Sequence, residues 1–143
     1  MPNNNLRLLN TLYQTATMGT SSINHILDKI DNTSFRQELK DQLEMYHDEC
    51  HELREDIYAE HAEPKDVSAM VKACADMGIT FHILMDDTPS NIAKMIIQGT
   101  NMGIISIREA LNEASSASPE IKRKAEKMMK AEQKYIERIK PYL

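Results

Sequence analysis

The sequence predicts an all-α protein: a four-helix bundle of two antiparallel hairpins joined by a long crossover that contains a short helix. Three observations predict it. Apolar residues recur at alternating spacings of three and four along nearly the whole chain, as in helices with one buried stripe. The 143 residues include only 4 Gly and 5 Pro, with 5 Tyr, 2 Phe and no Trp, too few turn-formers for a sandwich or barrel of many short strands. Finally, two pairs of long periodic segments are separated by a stretch of roughly 26 residues, too long for a simple up-down-up-down connection.

The first segment, residues 6–31, carries Leu9, Leu12, Ala16, Gly19, Ile23, Ile26 and Ile30 on one stripe. Asn32-Thr33-Ser34 then supplies a helix start, and residues 34–61 repeat the pattern with Phe35, Leu39, Leu43, Tyr46, Cys50, Leu53 and Ile57 until Glu63-Pro64 closes it. The short link between these helices predicts an antiparallel hairpin over residues 6–61. Within the crossover, residues 62–87, a shorter helix is expected over 66–85 with Val67, Met70, Cys74, Met77, Phe81 and Leu84 inward. Thr88-Pro89 reads as a cap followed by proline at the first helical position. The next helix, 88–114, has the stripe Ile92, Ile96, Gly99, Gly103, Ile107, Ala110 and Leu111. Ser118-Pro119-Glu120 opens the last helix, 118–141, with Ile121, Ala125, Met128, Glu132, Tyr135 and Ile139 inward and Pro141 at its end. The second hairpin is therefore 88–141, and the whole chain is read as one domain.

The two hairpins resemble each other. At an offset of 84, Gln14, Met18, Gly19, Ser22, Ile23 and Leu27 match Gln98, Met102, Gly103, Ser106, Ile107 and Leu111. At an offset of 86, Phe35, Leu39, Leu43, Cys50 and Leu53 fall on Ile121, Ala125, Met129, Ile136 and Ile139, which preserves pattern rather than identity. This segment order, the repeated Met-Gly-x-x-Ser-Ile step and the final run of residues 120–143 resemble the ferritin-like superfamily, closest to its small bacterial four-helix-bundle members. The resemblance covers nearly the whole chain and implies the same fold.

It also implies a test, because ferritin-like metal centres take one Glu from each of two helices and a Glu-x-x-His from each of the other two. The one such motif here is Glu44-Met45-Tyr46-His47, with His51 a turn further on. At ~100° per residue, Glu44, His47 and His51 lie roughly 80–140° from the stripe centred on Tyr46, Cys50 and Leu53, so they point outward. The first helix has no Glu, and the last has Glu132 but no His. Half of the ligand set is missing. Glu44, His47 and His51, with Asp48 beside them, remain candidates only for a surface or intersubunit metal site. No resident cofactor is expected, and the alternative is iron or another divalent metal.

Other chemistries find little support. Cys50 and Cys74 have no CxxC spacing and lie on apolar stripes, where they pack as small hydrophobes. The ten methionines are scattered along helical stripes and read as core filling. There is no Gly-rich phosphate loop or nucleophile elbow. A net charge of -5 argues against nucleic acid, and no apolar run approaches the ~18 residues of a membrane span. The opening Met1-Pro2-Asn3-Asn4-Asn5 lacks a signal-peptide pattern, so a cytoplasmic protein is expected.

Charge is segregated: residues 33–61 hold nine Asp/Glu against three Lys/Arg, and residues 118–143 hold eight Lys/Arg against four Asp/Glu. Two adjacent solvated faces explain this most simply, and an acidic partner docking on helix 118–141 is the sharper account. Helix 88–114 is apolar on more than one face, with Ile97/Ile104 and Met95/Met102 each seven apart, which predicts a homodimer or larger assembly through it. The sequence thus reads as a structural or interaction protein, and the balance falls against an enzyme. The alternative is a metal-dependent oxidoreductase or iron-handling protein with a non-standard or intersubunit site.

Overall fold

The computed structural model describes residues 3–66, 72, 75, 78, 79, 83 and 86–143. Four long helices carry it: α1 (Asn4–Ile26), α2 (Thr33–Ala59), α3 (Pro89–Glu113) and α4 (Pro119–Ile139). No strand occurs among the described residues. Each helix starts on a side-chain oxygen that accepts a backbone N–H of the first turn: Asn3 from Leu6, Asn32 from Phe35, Thr88 from Asn91 and Ser118 from Ile121. Pro89 and Pro119 occupy the first helical position, where their missing N–H costs nothing.

Two boundaries differ from the sequence expectation. The α-helical part of α1 stops at Ile26 rather than near residue 31, and Leu27–Lys29 form a 3₁₀ turn. Arg36 explains the tightening, since its Nη1 donates to the carbonyls of Leu27 at 2.7 Å and Ile30 at 3.1 Å, groups a helix end leaves without partners. Helix α2 ends at Ala59, before Glu63-Pro64, and His61 adopts the left-handed conformation (φ 59) common just past a helix end. The crossover helix expected over 66–85 lies mostly outside the described residues, as do Met70, Cys74, Met77, His82 and Met85. Of its described positions, Lys72, Ala75, Gly78, Ile79 and Ile83 are helical and Asp66 is not.

Contacts at the two ends fix the topology. At one end, Asn3 and Asn5 donate to Glu60 at 3.3 and 3.2 Å, Arg7 pairs with Glu113 at 3.2 Å, and the Ser118 N–H reaches Asn5 Oδ1 at 2.7 Å. At the other, the Phe35 ring stacks on Tyr142 with centroids 4.4 Å apart, and Arg138 pairs with Glu38 at 3.0 Å. Helices α1 and α4 therefore run one way, and α2 and α3 the other. Helix α1 packs on α2 and α3, and α4 on α3 and α2, so the hairpins α1–α2 and α3–α4 lie side by side. Because α2 and α3 are parallel, their connection must return along the bundle, which accounts for its length. All four helices feed one core, with Leu12, Phe35, Ile107 and Ile139 fully buried. Met128 and Met129 fill that core as expected, but Met102 does not. It is 62% exposed, because it sits at the rim of an internal cavity instead of in the helix interface.

Candidate functional site

The bundle interior contains a polar knot. Tyr46 of α2 donates its hydroxyl to Glu132 Oε2 of α4 at 2.9 Å, with Glu132 only 2% exposed. The Tyr135 ring meets the Tyr46 ring edge-on at 6.3 Å. One turn along, Arg138 bridges the helices, giving one hydrogen bond to Glu38 and another of 2.8 Å to Oε1 of the fully buried Gln42. Gln42, Tyr46 and Glu49 stand four and three residues apart on one face of α2, so a single helix surface delivers them all. Four side-chain atoms here lack a hydrogen-bond partner: Glu132 Oε1, Tyr135 Oη, Gln42 Nε2 and Glu49 Oε2. Unpaired buried polar atoms are costly and normally call for an explanation.

Burial sets the electrostatics. Loss of water raises the Glu132 carboxyl to about 7, against the lowering effect of the Tyr46 hydrogen bond and the Arg138 charge. Glu49 is raised to about 7 as well, first by burial and then by the Glu132 and Glu52 charges. Burial and the Glu132 carboxylate push the Tyr46 and Tyr135 hydroxyls well above their usual range. Half-buried Cys50 also has a raised thiol, chiefly through burial, which keeps it in its unreactive form.

Above this knot lies a cavity of about 480 Å³ between α1 and α3, with Tyr46, Glu132 and Tyr135 at its floor. The two matching sequence steps supply its walls: Met18, Gly19 and Ser22 from α1, and Met102, Gly103 and Ser106 from antiparallel α3. Ile23, Ile26, Met95 and Ile96 make it mainly apolar, and Ala75 and Ile79 of the crossover contribute to the wall. Gly99 and Met102 line it while being exposed themselves, which marks its opening. The glycines do different work. A Cβ on Gly103 would come within 3.1 Å of Thr15 Cγ2, consistent with close approach of α1 and α3, whereas one on Gly99 would meet nothing within 4 Å.

The residues singled out from the sequence do not gather here. Glu44, His47, Asp48 and His51 are all exposed on the outer side of α2. Among the described residues, no group of three His, Cys, Asp or Glu is placed to hold a metal ion. Glu132 does face inward, but the sequence reading missed Gln42 and Glu49. The signal was present, since both fall on the Tyr46 face at helical spacing. The opposite charges of α2 and α4 meet within the chain: Lys124 pairs with Asp56 and, at 3.1 Å, with Glu52, alongside the Arg138–Glu38 pair. No helix among the described residues is long and apolar enough to cross a membrane.

Searches of the curated proteins and of the solved structures gave no match. Residues 4–113, which span α1 to the end of α3 and thus both walls of the cavity, match a family described as a domain of unknown function. The chain belongs to that family, DUF2383.

Proposed function

We propose that the protein is a ferritin-like bundle that acts by binding rather than by catalysis, and that it binds a small molecule between α1 and α3. The observation that carries this reading is the cavity itself: about 480 Å³, apolar-walled, with a buried carboxyl at its floor. Ligand sites commonly have this size and this pairing of an apolar wall with a few polar groups. The kinship to ferritin-like proteins is supported by the parallel course of α2 and α3 and the crossover between them.

The donor set does not fit a ferritin-like metal pair. The inward carboxylates among the described residues are Glu132 and half-buried Glu49; His47, His51 and His61 are exposed, and no group of three His, Cys, Asp or Glu is placed to hold a metal ion among the described residues. No chemical step is therefore assigned to such a centre. A carboxyl raised to about 7 has the strength of a general base, yet the described residues of the lining include no Lys, Arg or His to stabilise developing negative charge. That favours binding over catalysis. As an interaction protein, the chain would pair with a second copy through α3, where Met102 and Ile105 are exposed, and meet any acidic partner along Lys127, Lys130 and Lys134 of α4. A cytoplasmic setting is part of the same reading.

Thermal denaturation with n-heptanol tests the binding reading. The midpoint should rise for the natural protein and stay put for Gly99→Leu, whose added Cβ meets nothing within 4 Å and whose side chain would obstruct the cavity's opening. Equal responses would locate the probe elsewhere and end the reading. Metal analysis of protein purified without chelators is the complementary test. Two ions per chain, lost on replacing Glu44 and His47, would favour the metal-dependent alternative.

A further inference from the structure

We propose that the cavity selects an organic ammonium ion with an apolar body, its charged head seated at the unpartnered Oε1 of Glu132. The inference rests on the small-molecule reading above and adds the charge of the ligand.

Geometry and charge both point to a cation. Glu132 is 2% exposed and lines the cavity, with Oε2 already taken by the Tyr46 hydroxyl and Oε1 left without a donor. Tyr135, which also lines the cavity, has a buried hydroxyl that is likewise unpartnered. An ammonium group brings several N–H donors and no acceptor, which suits a carboxylate oxygen left without a donor.

The lining also argues against the other charge classes. Apart from Glu132, Tyr46 and Tyr135, its described residues are not ionisable, and none carries a positive charge. Arg138, the nearest cation of the polar knot, is absent from the lining and is committed to Glu38 and Gln42. A carboxylate ligand would thus meet a buried carboxyl with no cation among the described lining residues to pair with it, which is costly. A neutral alcohol would gain the apolar contacts but not the charge-assisted hydrogen bond, which is roughly twice as strong as a neutral one. Above the floor, Ile23, Ile26 and Ile96 provide the surface for the apolar body.

Calorimetric titration with n-heptylamine, n-heptanol and heptanoate at pH 7.5 separates these ligands by charge at nearly constant shape. The expected order is amine tightest, by at least about tenfold over the alcohol, and carboxylate weakest. Glu132→Gln keeps the shape and an acceptor for Tyr46, so alcohol binding should persist while the amine advantage disappears. If that variant does not fold, the ranking of the three probes on the natural protein still decides. Alcohol binding equal to or tighter than amine binding overturns this inference but leaves the binding reading standing, as does an amine preference that survives in folded Glu132→Gln. Failure of all three probes overturns both.

Discussion

Gly19 of α1 lies directly against the ring of Tyr46 on α2: a Cβ placed on it would meet three ring atoms, the farthest at 2.9 Å. The ring cannot turn aside cheaply, because it is 3% exposed and its hydroxyl is tied to Glu132. Gly19→Ala should therefore destabilise the protein by ~1–3 kcal/mol through overpacking, despite the better helix propensity of alanine. Gly99→Ala, with open space in front of it, should instead stabilise by ~0.5–1 kcal/mol. Gly103→Leu must displace Thr15 and should cost a similar ~1–3 kcal/mol. Urea denaturation of the three variants checks the signs, and a stabilised Gly19→Ala would mean that the α1–α2 contact is looser than described.

The same three glycines show how far the sequence could be read. The repeated Met-Gly-x-x-Ser-Ile step was visible as a pattern, and a glycine seam was a fair expectation for close helix approach. Gly103 fulfils that role, and Gly19 makes room for a ring instead of a helix backbone. Gly99 faces empty space, because a cavity is a property of what several helices fail to fill and leaves no single-helix signature. Glu132 was legible as an inward charge. Its partner Tyr46 looked like ordinary core, since a buried tyrosine shows where its ring goes but not what its hydroxyl meets. Gln42 and Glu49 share the face of Tyr46 but escape a stripe defined by apolar residues alone.

Removing the Tyr46 hydroxyl should be felt mainly by Glu132. Tyr46→Phe leaves both oxygens of a buried carboxyl without a donor, at a cost of ~1–3 kcal/mol. The lost hydrogen bond favoured the charged form, so the Glu132 pKa should rise further above about 7. Carboxyl titration by carbon-13 NMR reads this directly. A value unchanged in the variant would show that the hydrogen bond has no electrostatic weight.

Stability should fall as pH rises through neutrality. Glu132 and Glu49 ordinarily titrate near 4.5, and in the fold both are raised to about 7. Between these values the native state binds more protons than the unfolded state, so unfolding free energy declines with pH. The contribution is complete below the ordinary value and is lost by the time pH passes the folded one. The groups facing this pair are Tyr46, Asp48, Glu52, Tyr135, Lys127 and Arg138. Glu132→Gln should flatten the slope between pH 5 and 8 and be more stable relative to the natural protein at pH 8 than at pH 5. Parallel slopes for both proteins would count against a neutral Glu132.

The proposed homodimer makes the most discriminating demand on α3. Met102 and Ile105, three residues apart on one helical face, are 62% and 49% exposed, and Ile105 opens onto a groove shared with Met129 of α4. Ile104, by contrast, is partly buried against the core. Of the crossover's described residues, Ala75 and Ile79 line the cavity and none lines this groove. If a second copy covers the groove, Ile105→Glu should give a folded monomer with little loss of stability, because the new carboxylate remains in water. Ile104→Glu should instead destabilise the monomer itself, since it forces a charge toward the core. Light scattering and thermal melts on both variants read the two effects separately. A natural protein that is monomeric at all practical concentrations would remove the dimer from the proposal and leave the exposed face of α3 as ordinary surface.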